Sequence, residues 1–147
     1  MMSVNEKNSW QFDERQEGLR GQAFRHGYIA AIIVIIVRMV LASSGIVWAE
    51  AFTQELIWLF VLVTVVSCEL HLRGAYFGRA MMRKFFMCIW CICTSITLAL
   101  PIIDLCSGEP AIQNGMLTQN GGMIAIGLLM AANAACALAR HLRHPER

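Results

Sequence analysis

An arginine stands inside the first apolar block of this 147-residue chain. Arg38 lies between Tyr28 and Trp48, in a stretch that is otherwise interrupted only by Ser43 and Ser44. A guanidinium near the middle of a membrane-spanning helix costs roughly 2.5–3.5 kcal/mol on insertion scales, so we expect a compensating group. Such a residue either has a structural role, by snorkelling or by forming one ion pair, or belongs to a transport or sensing site.

Glu69 is the predicted partner of Arg38. It lies about one turn inside the end of the second apolar block, ~5 Å deep at the rise of an α-helix, and the long arginine side chain can close much of the remaining gap. Three further polar side chains lie at comparable depth in the third and fourth blocks, namely Thr94, Ser95 and Asn133. We therefore predict one intramembrane polar cluster that contains all five side chains.

Six cysteines raise the alternative of redox or metal chemistry. Cys88 and Cys91 form a CxxC within the third block, and Cys68 and Cys136 fall in the same half of the membrane. Thiols at similar depth could bind a soft metal or exchange disulfides. An apolar helix supplies no positive charge to favour the reactive thiolate, however, so free thiols that fill space are the preferred interpretation. We predict no metal site, no cofactor and no catalytic residue.

Four apolar blocks must position these side chains. They cover about residues 28–48, 52–72, 85–105 and 121–138, each near the ~20 residues that a helix needs to cross a bilayer. Hydrophobic residues make up 57% of the chain and charged residues only 15%, which leaves little sequence for a soluble core. The alternative, buried helices of a soluble protein, is rare for helices that are apolar on all faces. The predicted fold is all-α, an integral membrane four-helix up-and-down bundle over residues 28–138 with antiparallel neighbours.

The distribution of charge predicts the orientation. Positive residues stand before the first block, between the second and third, and after the fourth: Lys7, Arg15, Arg20, Arg25, Arg73, Arg79, Arg83, Lys84, Arg140, Arg143 and Arg147. The two remaining connections and their borders contain neither Lys nor Arg, but four acids: Glu50, Glu55, Asp104 and Glu109. By the positive-inside rule, both termini of a multi-pass plasma membrane protein with this pattern are cytoplasmic.

The segments that flank the blocks are predicted to lie on the cytoplasmic side. Residues 1–27 form an N-terminal segment with a short interfacial helix, since Phe12, Leu19 and Ala23 fall on one side of it; a solvated coil is the alternative. Residues 139–147 form a basic tail.

The connection between the second and third blocks is basic. Its residues Arg73, Arg79, Arg83 and Lys84 are predicted to contact anionic lipids of the inner leaflet, at about 1 kcal/mol per basic residue. Single-stranded nucleic acid would suit the same mixture of basic and aromatic residues, but a short loop between membrane spans is an unsuitable place for it. We therefore predict lipid contact and no nucleic-acid partner.

Small residues repeat in the fourth block. Gly127, Ala131 and Ala135 are spaced by four, and such stripes let helix backbones approach closely in a membrane. We predict that they pack helices together within one chain, in preference to forming a face between two copies.

A short motif precedes the first block. Asp13-Glu-Arg-Gln, followed by Gly21-Gln-Ala-Phe-Arg-His-Gly-Tyr, resembles uncharacterised small membrane proteins of Gram-positive bacteria, which carry an Asp-Glu-Arg-Gln-type juxtamembrane motif before four hydrophobic helices. The motif covers about residues 13–30, and the remainder of the chain is similar in layout. The resemblance implies a bacterial plasma membrane protein and supplies no activity or ligand. Small multidrug transporters also have four short helices, but they carry a glutamate in the first helix, where this chain has Arg38.

These observations favour a non-enzymatic membrane protein that acts through a partner, as a regulatory, immunity or accessory subunit. The blocks leave no extramembrane domain for chemistry, and the partner is another protein or a second copy of the chain. One alternative is a small oligomeric transporter or channel that uses the Arg38/Glu69 cluster. The second alternative is a thiol-based redox or metal protein that uses Cys88 and Cys91.

Overall fold

Four long helices make up most of the chain. The computed structural model describes residues 14–75 and 80–143, with the side chains of residues 14, 80–84 and 86 left out. The helices are α1 (Glu14–Ser43), α2 (Ala51–Arg73), α3 (Ala80–Cys106) and α4 (Gln119–Arg143), and two short strands, β1 (Ile112–Gln113) and β2 (Met116–Leu117), separate α3 from α4. All four helices are long and apolar enough to cross a bilayer, as predicted.

Helix α1 differs most from its predicted bounds. It begins at Glu14 and runs without a break through residues 14–27, where a separate interfacial helix was predicted; residues 1–13 lie outside the described part of the chain. It also ends five residues before the apolar block does. Gly45 takes a φ of +66°, and the amides of Gly45 and Ile46 donate backward to the carbonyls of Ala42 and Leu41 at 3.2 and 3.1 Å. This left-handed glycine stop ends the helix although the following residues are apolar.

The helices are arranged in the order α1, α2, α4, α3. Helix α4 packs against both α2 and α3, whereas α1 packs against α2. Sequence neighbours therefore contact each other in the pairs α1–α2 and α3–α4, and the contact between α2 and α4 joins the two pairs. The most apolar stretches of α1 and α3 are only 11% and 6% buried, against 22% and 28% for α2 and α4. The two flanking helices thus present most of their apolar surface outward.

Close contacts hold α4 between its two neighbours. A Cβ added to Gly122 would lie 2.2 Å from the Thr53 methyl of α2, and one added to Gly127 would lie 2.4 Å from Leu98 of α3. Of the predicted packing stripe, Gly127 is buried, Ala131 is half-buried and Ala135 is exposed. Gly127 is thus the stripe member that belongs to the buried face of α4, whose residues are Gly121, Gly122, Ile126, Gly127, Met130, Asn133 and Ala137.

A small β-hairpin covers the end of the bundle at which α4 begins. Strands β1 and β2 pair antiparallel through Asn114 and Gly115, whose φ values of +53° and +77° suit a two-residue hairpin turn. The Leu117 amide donates to the Trp48 carbonyl at 2.8 Å, which ties β2 to the α1–α2 connection. The Asn114-Gly115 pair is itself a sequence signal for a two-residue hairpin turn.

Candidate functional site

Arg38 lies near one end of α1 and not at its middle. It precedes the last residue of the helix, Ser43, by five residues, or about 7 Å along the axis. The predicted position near the bilayer midplane assumed a helix over residues 28–48, and the early stop at Gly45 removes that assumption. The guanidinium is therefore closer to the end of its helix than the sequence indicated.

The partner of Arg38 is Glu55. Arg38 Nη2 donates to Glu55 Oε1 across the α1–α2 contact, and the two side chains are 45% and 55% exposed. Glu55 lies four residues after the start of α2, at the same end of the bundle as Arg38. Glu69, the predicted partner, is fourteen residues further along α2, ~21 Å away along the axis. The predicted Arg38–Glu69 pair is therefore corrected to Arg38–Glu55.

A cleft of about 360 Å³ opens beside this ion pair, and we call it the α1–α2 cleft. Arg38, Gln54 and Trp58 line it together with apolar residues of α1. The Trp48 and Trp58 rings meet edge to face at the cleft, with centroids 5.8 Å apart and planes at 83°. Residues 35–40 of α1 are all exposed, so this part of α1 is little covered by α2 where the cleft opens.

Glu69 belongs to a separate polar network near the other end of α2. Arg73 Nη2 lies 2.7 Å from Glu69 Oε1, and His26 Nδ1 of α1 lies 2.8 Å from the same oxygen. Arg73 Nη1 also donates to the Gln22 side-chain oxygen at 2.5 Å. The Glu69 side chain is 16% exposed. This network joins α1 to α2 close to the apolar contacts of Ala23.

Asn133 forms a third polar site between α2 and α4. Its side chain is 1% exposed and donates to Thr64 Oγ1 at 3.1 Å and to the Leu129 carbonyl at 3.2 Å. The Cys68 thiol donates to its carbonyl oxygen at 3.5 Å. The amide thus satisfies its donors and acceptor inside the helix contact, as buried polar groups generally do.

Thr94 and Ser95 join none of these sites. Each hydroxyl donates to the carbonyl four residues earlier in α3, Trp90 at 2.7 Å and Cys91 at 2.8 Å. Such bonds satisfy a hydroxyl within its own helix. The five residues of the predicted cluster are therefore distributed over four places in the structure.

The basic connection is described in part. Arg73 belongs to the Glu69 network and is 33% exposed, whereas Arg79 lies outside the described residues. Arg83 and Lys84 fall in the first turns of α3, and their side chains are not among those described. Their predicted contact with anionic lipid stays a prediction.

The cysteines are all free thiols. Cys88 and Cys91 are exposed on α3, and the Cys68 thiol lies beside that of Cys136 between α2 and α4. In residues 14–75 and 80–143, no three His, Cys, Asp or Glu side chains come together in a group suited to a metal ion.

Two residues that take part in these polar contacts were not predicted from the sequence. Glu55 was assigned to the border of a loop because the second block was predicted to begin at residue 52. His26 was assigned to the predicted cytoplasmic segment. If the end of α1 had been predicted at Gly45, Arg38 and Glu55 would have been placed at similar distances from the α1–α2 connection. For His26, the lengthening of α1 to Glu14 brings it within the helix and opposite Glu69.

A double-mutant cycle can establish which acid Arg38 contacts. Arg38→Gln and Glu55→Gln should show a coupling of about 0.2–1 kcal/mol, small because both side chains are half exposed. Arg38→Gln and Glu69→Gln should be additive, since these side chains have different partners. Unfolding in mixed micelles of increasing SDS content measures both cycles. Coupling to Glu69 with none to Glu55 would contradict the assignment.

The chain thus carries an ion pair in an open cleft and two internal polar contacts between helices. Comparison with protein-family models, with curated proteins and with solved structures gives no match.

Proposed function

We propose that this chain is a non-enzymatic integral membrane protein that acts through a protein partner, as a regulatory or accessory subunit, and that a transmembrane helix of the partner packs on α1. The observation that carries the proposal is a row of four exposed β-branched side chains on α1, which we call the α1 stripe. Its members are Ile29, Ile33, Ile36 and Val40, with exposures of 47%, 56%, 54% and 57%.

The spacing of the α1 stripe suits a helix partner. Its members are separated by four, three and four residues, which is the pattern of the a and d positions of a heptad, where side chains insert between those of a facing helix. Ile36 lies two residues, or ~200° around the helix, from Val34, which is buried. The stripe therefore faces away from α2, the helix on which α1 packs.

The described chain offers little room for a catalytic domain outside the membrane. Its segments between helices are residues 44–50, 74–75 and 107–118, and the last of these is largely taken up by the β1–β2 hairpin. Hydrolytic or transfer chemistry needs several positioned groups around a reacting atom. A role that depends on helix contacts needs none, which supports the non-enzymatic function.

The transporter alternative depended on Arg38 and Glu69 in one cluster. The structure separates these residues, and Asn133 is enclosed between α2 and α4. No single polar path joins them within the described residues. The observation that favoured transport is therefore lost, and we do not propose it.

The test of the partner compares two matched double variants in mild detergent extracts of the native membrane. Ile33→Ala/Ile36→Ala removes side chains of the α1 stripe, and Ile96→Ala/Ile103→Ala removes equally exposed isoleucines of α3. The stripe variant should recover roughly threefold to tenfold less partner, a loss of the order of 1 kcal/mol. The α3 variant should recover the normal amount.

Equal recovery by both variants, or a wild-type chain that purifies alone, would exclude this partner contact. Recovery of nothing but a differently tagged second copy would replace the accessory role by self-association.

We further propose a bacterial plasma membrane location, on the support of the resemblance carried by residues 13–30, and cytoplasmic termini, on the support of the charge distribution. Cys106 at the end of α3 is exposed and provides a native reporter. In a variant that retains only this cysteine, an impermeant maleimide should label intact cells. A cysteine-free chain with Arg143→Cys should be labelled only after the cells are opened. The reverse pattern would invert the orientation.

A further inference from the structure

The α1–α2 cleft has the size of a small-ligand site. Its volume of about 360 Å³ falls within the range of ligand pockets, roughly 300–1,000 Å³. The cleft is therefore suited to a small-molecule ligand or to part of a lipid.

Arg38 lines the cleft, and Glu55, which is not among the lining residues, contacts Arg38 beside it, so that both charges are available to a ligand. The Arg38–Glu55 contact is made by Nη2 and Oε1, which leaves other guanidinium donors and the second carboxylate oxygen. In the described part of the chain neither side chain has a further hydrogen bond, and each is about half exposed. A ligand with one negative and one positive group can therefore pair with both residues while their own contact is kept.

The remaining walls are apolar and aromatic. Ile35, Met39 and Ile46 line the cleft together with Trp48 and Trp58. Tryptophan is enriched where lipid headgroups meet hydrocarbon, because its ring is apolar and its N–H is polar. Arg38 and Glu55 lie within about two turns of the helix ends, which is also headgroup depth.

We propose that the α1–α2 cleft binds a zwitterionic aminophospholipid, with the lipid phosphate on Arg38 and its primary ammonium on Glu55. The acyl chains then lie along Ile35 and Met39, where α1 is little covered by α2. This site is on a different side of α1 from the α1 stripe: Arg38 is two residues, or ~200°, from both Ile36 and Val40. The lipid site and the partner contact can therefore be tested independently.

The charge pair selects against other headgroups. An anionic headgroup with a glycerol end would place its phosphate near Glu55 and supply no cation for that carboxylate, so repulsion would remain. A quaternary ammonium has no N–H and donates no hydrogen bond to a carboxylate. A primary ammonium donates up to three, and charge-assisted hydrogen bonds are stronger than neutral ones.

The experiment measures lipid retention by native mass spectrometry on the full-length protein. Nanodiscs of phosphatidylcholine contain a minor fraction of either phosphatidylethanolamine or phosphatidylglycerol, and the bound lipids are counted after release. The wild type should retain phosphatidylethanolamine roughly threefold to tenfold over phosphatidylglycerol, a ratio held down by solvent screening. Arg38→Gln/Glu55→Gln should abolish the preference.

A matched charge-neutralised control lies further along α1. Glu17→Gln/Arg25→Gln also removes one acid and one base, both from exposed positions outside the cleft, and should keep the preference. Equal retention of the two lipids by the wild type, or an unchanged preference in Arg38→Gln/Glu55→Gln, would overturn the proposal.

Tryptophan quenching tests the same site without changing its charges. Lipids brominated on the acyl chain should quench the wild type more strongly with an ethanolamine headgroup than with a glycerol headgroup, and Trp58→Phe should reduce that difference. Glycerophosphoethanolamine, which has the headgroup and no acyl chains, should leave the retained lipid in place. Equal quenching by the two lipids, or displacement by the soluble headgroup, would contradict lipid binding in the cleft.

Discussion

Gly122→Ala is expected to destabilise the protein by about 1–3 kcal/mol, the usual cost of forcing extra atoms into a packed contact. The new Cβ would lie 2.2 Å from the Thr53 methyl group, well inside the ~3.5–4.0 Å optimum for two carbon atoms. Thr53 is β-branched and only 4% exposed, so its methyl has few rotamers into which to move. Helices α2 and α4 must separate here. The midpoint of SDS-induced unfolding, followed by far-UV circular dichroism, measures the change.

Gly18→Ala is the matched control. Gly18 is also a glycine inside a helix, but an added Cβ meets no atom within 4 Å. Alanine should there raise stability by up to about 1 kcal/mol through its helix propensity. If Gly122→Ala changed the stability as little as Gly18→Ala, the result would contradict the close approach of α2 to α4.

Gly74→Ala is expected to cost about 1–3 kcal/mol, for two reasons. Gly74 caps the end of α2 with a φ of +69°, and an alanine in this left-handed conformation costs roughly 1–2 kcal/mol. The Arg140 guanidinium of α4 occupies the place of the new Cβ, with Nη2 2.0 Å away, and Arg140 Nη1 donates to the Leu72 carbonyl at 2.8 Å. Displacing this arginine loses a charge-assisted hydrogen bond, which adds to the strain.

Gly45→Ala separates the two contributions. Gly45 has nearly the same φ, +66°, but open space around it, so its replacement should cost only the backbone strain. Arg140→Gln is then combined with Gly74→Ala and, separately, with Gly45→Ala. The same SDS titration measures the coupling free energy between Arg140 and each glycine. A cost at Gly74 no larger than at Gly45 would show that Arg140 does not close the α2–α4 contact at this end.

The apolar helices were predictable because hydropathy and length are properties of each segment alone. The blocks at residues 52–72 and 121–138 lie within α2 and α4 with one to five residues to spare at each end. The predicted end of the first helix was wrong because Ile46 and Val47 are as apolar as the helix before them, although they follow the left-handed Gly45. Local backbone conformation decided that boundary, and hydropathy carries no information about it.

The polar contacts were less predictable because each depends on which helices face each other. Asn133 was singled out as a polar side chain within an apolar block, but its partners Thr64 and Cys68 follow from α4 packing on α2. When a helix is apolar on every side, its sequence does not show which of its faces contacts a neighbouring helix. The order α1, α2, α4, α3, and with it the Arg38–Glu55 pair, therefore had to come from the structure.

The central claim is that the outward face of α1 is a contact surface for a partner helix. A photo-reactive amino acid placed in turn at each position from 29 to 40, in the native membrane, tests it directly. Adducts of one size should peak at Ile29, Ile33, Ile36 and Val40 and fall between them, with the period of a packed helix. A yield that is uniform along α1, or that peaks on the side of Arg38, would show that no partner helix packs on the α1 stripe and would contradict the proposed function.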